Sequence, residues 1–346
     1  MAVTYRFYGT KIFVLVSLHY PGRKQSSTFV WKKRRRYPFR AATLVQPTGE
    51  LWERIRVELN EDPNTREKDL EAIKEWLAKQ PHLPNKWEDD CLMTFLRGCN
   101  FSLEKCKKKL DMYFTMRNAC PEFFSNRDVT RPELRDLMLR AQGPTLPGLT
   151  LNGRRVTICR ALDKDLNPNQ LNDAFKLIMM VGDVRLKEEV EGVAGDVYIL
   201  DASVVAPSHL SKISPSTIKK FLICVQEAYP IKLKEVHVVN ASPIVDAVFS
   251  LVKPFLKDKI KSRVHFHNDY TSLHKFVPKD MLPTEYGGSV QLEVLNRAWM
   301  QKLEDYSDWF KKQEHIKVNE ALRPGKPTNY DELFGVEGSF RQLSID

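Results

Sequence analysis

The chain has 346 residues, 42% apolar and 28% charged, with a formal net charge of +10. That length holds two or more modest domains with cores of their own. The charge is a property of one end: residues 1–50 carry ten Lys/Arg and one acidic residue, leaving 44 basic and 43 acidic residues in the remainder. A near-neutral body excludes a general binder of phosphate backbones, so nucleic acid is not an expected partner.

Six cysteines (91, 99, 106, 120, 159 and 224) show no CxxC spacing and read as reduced, buried thiols of a cytoplasmic protein. No apolar run approaches the ~20 residues that span a bilayer. Ile12 to Leu18 imitates the core of a secretory signal, but the following His19-Tyr20-Pro21-Gly22 lacks a small-residue cleavage pattern.

Residues 1–48 show no sustained periodicity and are expected to form a disordered basic extension. Their run WKKRRRYPFR (31–40) suits a nuclear address, a membrane-attracting patch or plain solvation. From Glu50 the pattern turns helical. Leu51, Ile55 and Leu59 are spaced by four. Asp62-Pro63 opens a second helix with Leu70, Ile73 and Leu77 on one face. Leu92, Phe95 and Leu96 mark a third, ending near Gly98. Ser102 starts a fourth that carries Cys106, Leu110, Tyr113 and Phe114. Short helices with brief loops predict a small bundle over 49–130.

After Pro132 a short helix leads to Asn152-Gly153, a two-residue hairpin signal between Leu149/Leu151 and Val156/Ile158. DKDLNPNQ (163–170) reads as a loop. Leu171 to Val190 is a long helix with Phe175, Ile178, Met179, Gly182 and Leu186 on one side. Val197 to Leu200 is a buried-type strand. Pro215 opens a helix with Ile218, Phe221, Leu222 and Val225, and Val236 to Val239 is a further strand. Helices alternating with short strands predict an α/β layer with some parallel pairing over 131–290. Val294 to Phe310 reads as a polar helix, and 291–346 as a C-terminal helix and tail.

The stretch from Ser242 is the most distinctive. Ser242-Pro243 is a good helix start. Ile244, Val248, Leu251, Val252 and Phe255 then recur at helical spacing, and Pro254 predicts a kink. Beyond it, Leu256 and Ile260 form a narrow apolar ridge, with Lys257/Lys261 on one side and Lys259/Arg263 on the other. That layout fits a helix lying on an anionic membrane, and equally a solvated surface helix. Val264 to Phe266 reads as the next strand.

No GxGxxG, phosphate loop, HExxH or GxSxG is present. His265-x-His267, with His274 near in sequence, has no Cys or carboxylate partner at a familiar metal spacing, so no metal site is expected. Apolar surface is instead over-supplied. The helices around Phe175–Gly182, Ile218–Val225 and Ile244–Leu256 exceed what one sheet needs for cover. They are able to enclose a cavity with Met179 as an adaptable wall, although packing alone explains each residue.

Four segments, FLRGCNFSLEKC (95–106), YPIKLKEVHVVN (229–240), VFSLVKPFLKDKIKSRVHFH (248–267) and LPTEYGG (282–288), occur in order over about residues 50–310. Together they resemble the CRAL-TRIO lipid-binding family, in particular its branch of alpha-tocopherol transfer and cellular retinaldehyde-binding proteins. The resemblance implies a helical N-terminal domain and then a mixed sheet flooring a lipophilic pocket closed by a mobile gate helix. It implies no catalysis and no cofactor. Family pocket positions fall on Phe175, Ile178, Gly182, Leu200, Phe221, Cys224, Val225 and Ile231. Met179 and the gate residues Val248, Leu251 and Val252 complete the expected lipid site. Phosphoinositide-contacting positions fall on Lys232, Lys234, Lys259 and Arg263. Cys99 replaces a further arginine of that basic patch. Ile178 and Gly182 stand where the tocopherol carrier has serines, and Asp246 occupies a gate position not acidic there. The implied function is a cytoplasmic, peripherally membrane-associated carrier moving a tocopherol-like or retinoid-like lipid between membranes. The rival reading is an adaptor or sensor that binds lipid without transferring it.

Overall fold

A computed structural model describes residues 2–8, 11–17, 39–163, 170–210 and 214–335. The chain divides into two units, Met1–Phe39 and Arg40–Asp346. In the first, β1 (Ala2–Tyr8) pairs antiparallel with β2 (Lys11–Ser17), Tyr8 opposite Lys11. Both strands are rich in β-branched and aromatic residues, which favour a pleated ribbon. The segment expected to be a featureless extension thus contains a strand pair. Most of the 31–40 basic run lies outside the described residues.

The second unit begins earlier than the periodicity of the first helix suggests, because Ala42 and Leu44 are buried in a core with Leu134, Met180 and Trp299. Helices α1 (Gly49–Leu59), α2 (Arg66–Ala78), α3 (Asp89–Gly98) and α4 (Leu103–Ala119) follow. Helix α2 starts beyond Asp62-Pro63, since the Asp62 carbonyl first accepts the Thr65 and Arg66 N–H groups in a separate turn. Two short helices, α5 (Pro121–Phe124) and α6 (Pro132–Arg140), lead into β3 (Ala141–Gln142), β4 (Thr145–Leu149) and β5 (Arg154–Ala161). The expected hairpin joins β4 to β5 through a turn over Thr150–Gly153, closed by Gly153 N–H on the Thr150 carbonyl at 2.8 Å. Gly153 has φ +70°, and a Cβ there would stand 2.6 Å from Ile55, so the turn also seats α1.

Then come α7 (Gln170–Glu188), β6 (Gly195–Asp201), α8 (Pro207–Leu210) and α9 (Pro215–Ile223), extended by a π-turn over Cys224–Ala228. β7 (Leu233–Val239), α10 (Pro243–Val252), α11 (Asp258–Lys261) and β8 (Val264–Phe266) complete the α/β region. Strands β5, β6, β7 and β8 are parallel neighbours, and β3 and β4 add to β5 antiparallel, making a six-stranded mixed sheet. At the C-terminal end are α12 (Leu292–Asp305), α13 (Ser307–Gln313) and α14 (Tyr330–Phe334). The single helix expected over 294–310 is therefore two, divided at Tyr306.

Strand residues alternate between sheet faces, and here the two faces differ. Val156, Ile158, Val197, Ile199 and Val239 point to a filled core with Leu273, Tyr286 and Leu292. Thr157, Cys159, Tyr198, Leu200 and Val238 point to the other face, where helices stand off the sheet.

The helical N-terminal region and the sheet region meet around Asp183 of α7, which is fully buried. Its carboxylate accepts from the Tyr113 and Tyr229 hydroxyls at 2.9 and 2.6 Å and from Arg117 and Arg127 at 2.9 and 2.6 Å. Burial opposes ionisation, but Arg117 and then Arg127 outweigh it and hold the carboxyl below its usual range. Removing one member of such a cluster strands the other charges without water. Asp183→Asn should cost about 3–5 kcal/mol in urea unfolding, whereas substituting exposed Glu67 should change stability by less than about 0.5 kcal/mol.

Candidate functional site

Between the open face of the sheet and helices α7, α9 and α10 lies a cavity of about 510 Å³. That is within the ~300–1,000 Å³ typical of small-molecule sites, and its wall is overwhelmingly apolar. The sheet supplies Tyr198, Leu200, Val236, Val238 and Phe266. Leu200 is 38% exposed although it belongs to a central strand, because it faces the cavity. Helix α7 contributes Phe175, Ile178, Met179 and Gly182, and α9 with its π-turn contributes Phe221 and Val225. Phe175 and Phe221 stack with centroids 4.0 Å apart, joining the two helical walls.

Glycines set two of the walls. A Cβ on Gly98 would stand 2.1 Å from the Pro230 carbonyl oxygen, so only glycine lets α3 close onto the segment leading to Ile231. A Cβ on Gly182 would come within 3.2 Å of the Tyr229 ring, the same ring that reaches Asp183.

Helix α10 forms the outer wall. Val245, Val248, Phe249 and Val252 face the cavity, and Phe249 meets Phe266 edge-on at 5.2 Å. Pro243 occupies the first turn as expected, but Ser242, though extended, makes no side-chain capping bond. Among the helix's ten residues Val245 alone is buried. Asp246, Ala247, Ser250 and Leu251 face outward. A wall with one buried anchor is the least secured part of the enclosure.

Ten of the twelve expected lipid-site residues line this cavity: Phe175, Ile178, Met179, Gly182, Leu200, Phe221, Val225, Ile231, Val248 and Val252. Two do not. Cys224 lies at the start of the π-turn and packs into the helical core, its thiol raised well above its ordinary value by burial and by donation to Cys120. Leu251 is 40% exposed on the outer side of α10, since at about 100° per residue it falls outside the arc that carries Val245, Val248, Phe249 and Val252.

The expected basic positions hold less uniformly. Pro254 ends α10, and a 3-10 turn (Lys253–Phe255) followed by extended Leu256 and Lys257 separates it from the one-turn α11. Lys259 and Arg263 therefore do not share one helical row. Arg263 lies past the end of α11 and its guanidinium donates to the Leu233 carbonyl, tying α11 to β7. Lys234 pairs with Glu58, and Lys232 donates to Asn100 at 2.7 Å. Burial and then Lys234 pull the Lys232 amine down to about 8.

Two lysines missed in the sequence join this group. Lys109 donates to the Gln226 and Tyr229 carbonyls at 3.1 and 2.6 Å. Burial draws its amine down to about 8, with Lys257 and Lys259 adding to the effect. Lys105 lies one turn before it and is exposed. Both flank Cys99, whose thiol is held below its ordinary value by a hydrogen bond from Cys106 first and then, against burial, by Lys109, Lys105 and Lys232. The position lacking an arginine is thus ringed by lysines. Their i, i+4 spacing on α4 was the available signal.

His265 and His267 both meet a third histidine, His237. His267 Nε2 lies 3.0 Å from Nδ1 of buried His237, and His265 stacks on His237 at 5.1 Å. His274 bonds the Tyr286 carbonyl at 2.8 Å. Among the described residues no cluster of His, Cys, Asp or Glu is placed to hold a metal, and no helix is long and apolar enough to cross a membrane.

A mixed sheet roofed by a lightly anchored helix over an apolar chamber defines a protein that shelters a hydrophobic molecule. Residues 142–288 match the CRAL/TRIO domain family, and residues 62–134 match the Pinta-like UBA domain. The chain is 32% identical over 245 residues to a human (Homo sapiens) protein named alpha-tocopherol transfer protein-like, covering 70% of this chain and 71% of that one. It is 28% identical over 267 residues to clavesin-1 of Xenopus laevis, covering 75% and 79%. The chain belongs to the CRAL/TRIO family of lipid-binding proteins.

The two faces of α10 make a direct prediction. Val248→Asn should weaken Nile red binding several-fold, while Leu251→Asn on the outer face should leave both binding and melting temperature unchanged. Equal effects would mean that α10 is not turned as described.

Proposed function

We propose that this chain is an intracellular, non-catalytic carrier that takes up one small hydrophobic lipid, tocopherol-like or retinoid-like, and releases it at membranes whose phosphoinositides meet the basic surface beside the gate. The observation that carries the reading is the apolar cavity of about 510 Å³ closed by α10, a helix with Val245 as its one buried residue. At ~0.8 kcal/mol per buried carbon, a ligand of about 20 carbons is retained against water by on the order of 16 kcal/mol. Release therefore requires an apolar receiver, and a bilayer touching the gate provides one. Each basic side chain near an anionic surface contributes about 1 kcal/mol. Four or five such side chains approach the ~5.5 kcal/mol that inverts a 99:1 closed-to-open population. Lys105, Lys109, Lys232, Lys257 and Lys259 lie close enough to influence one another or Cys99, which supports a shared anionic target.

Ile178→Asp puts a carboxylate in the middle of the α7 wall. It should abolish Nile red binding while far-ultraviolet circular dichroism stays that of the wild type. Retained affinity in the folded variant would place the ligand elsewhere. For the membrane half, Lys105→Glu with Lys259→Glu is the cleaner reversal, because both lysines are exposed whereas Arg263 is spent on the Leu233 carbonyl. Sedimentation with vesicles containing phosphatidylinositol bisphosphate should fall at least tenfold, and Nile red binding in solution should persist. Undiminished sedimentation would remove the basic surface from the account.

A further inference from the structure

Nearly every polar side chain in the cavity wall is already committed to a partner inside the protein. Thr157 shares a hydrogen bond with Thr145 at 2.9 Å, and Thr94 donates to the Asp90 and Leu186 carbonyls at 3.0 Å. Asp201 accepts from Asn240 and Tyr286 at 2.9 and 2.8 Å. The charged groups are committed as well: Arg185 reaches Glu189 at 2.9 Å and Asp196 at 2.6 Å, Arg155 reaches Glu189 at 2.7 Å, Arg97 reaches Glu61 at 2.9 Å, and Lys232 donates to Asn100 at 2.7 Å. Three guanidiniums thus face three carboxylates, and the Lys232 amine is turned to an amide oxygen.

Tyr198 is different. It sits mid-strand on β6, with Thr157 and Val236 beside it in register, and its side chain lies on the cavity face because Val197 and Ile199 take the filled face. Among the described residues its hydroxyl has no hydrogen-bond partner. Burial, and after it the Asp196 carboxylate, push the phenol well above its ordinary value, so it stays protonated and available as a donor. Tyr198 is half-buried, and its hydroxyl opens on the cavity instead of being enclosed by protein; a polar group set in an apolar wall is satisfied best by a polar atom of whatever fills the space.

We propose that Tyr198 receives the polar head of the ligand, and that this head is uncharged: a hydroxyl or carbonyl on an otherwise hydrocarbon lipid. The proposal rests on the reading of the cavity as a lipid site and goes on to specify the lipid's class. An ionised head, carboxylate or phosphate, would meet guanidiniums already matched by carboxylates and a lysine already bonded to Asn100, and would lose its hydration uncompensated. With its head at Tyr198, the ligand's hydrocarbon lies along Leu200, Val238 and Phe266 toward Phe249 of the gate. Head and tail are thereby ordered, and the tail is the end that meets the gate.

The test uses three probes of one shape on the full chain: retinol, its hydrocarbon analogue lacking the hydroxyl, and retinoic acid. The wild type should bind retinol tighter than either of the others. Tyr198→Phe keeps the ring and removes the hydroxyl. It should weaken retinol roughly two- to tenfold, the range of one neutral hydrogen bond, leave the hydrocarbon unchanged and erase the preference. Loss of affinity for both in equal measure, or for neither, overturns the role of Tyr198. A wild-type preference for retinoic acid overturns the uncharged head. Should the variant not fold, the wild type decides: no preference for retinol over the hydrocarbon overturns the proposal. Failure of the wild type to bind any of the three overturns the lipid site itself.

Discussion

Asp183 is where the two halves of the second unit are joined, and the cavity depends on that joint. Its four donors come from α4, from the loop before α6 and from the segment after the π-turn. Tyr229, one of them, packs its ring against Gly182 in the cavity wall. Apolar walls gain free energy by collapsing onto one another, so the chamber needs a frame that keeps them apart. Directional, buried ionic contacts behind α7 resist that collapse. The Arg185 cluster does the same toward the sheet, linking α7 to Asp196 of β6 and Arg155 of β5.

The frame and the gate therefore differ in kind. α7 is long, buried along much of one side and fixed by charged pairs to two neighbouring regions. α10 has one buried residue, and Pro254 uncouples it from the segment that leads to β8. Helices attached by few buried contacts open at low cost. The sheet continues unbroken beneath, so α10 is able to move without disturbing the floor. Beyond the proline, Arg263 secures α11 to the Leu233 carbonyl and keeps the lysines of this surface near the gate while α10 changes position.

Much of this was legible in the sequence. The 3.6-residue period placed Phe175, Ile178, Met179 and Gly182 on one side of α7, and Phe221 and Val225 on one side of α9. The apolar period and Pro254 marked α10 and its end. Periodicity reports which side of an element is apolar, however, not whether a neighbour fills the space it faces. For that reason Tyr198 reads as an ordinary core residue of a buried strand until the opposite face of the sheet is known to be occupied. Cys224 fell outside the cavity because the π-turn begins there, and Leu251 because a cavity sees less of a helix than an apolar stripe suggests. The rows of charge drawn past Pro254 assumed a helix that the extended residues 256 and 257 interrupt. Lys105 and Lys109 were overlooked because the basic surface is assembled from α4 and the gate region, distant in sequence.

The central claim is that the cavity is a transport compartment. It is tested most directly by following a fluorescent lipid from donor to acceptor vesicles with far fewer protein molecules than lipid molecules. The account predicts many lipids moved per chain, with the rate increasing when the acceptors carry phosphoinositides. Transfer limited to one lipid per chain, or no faster than spontaneous exchange, would contradict it and leave a chain that holds a lipid without carrying it.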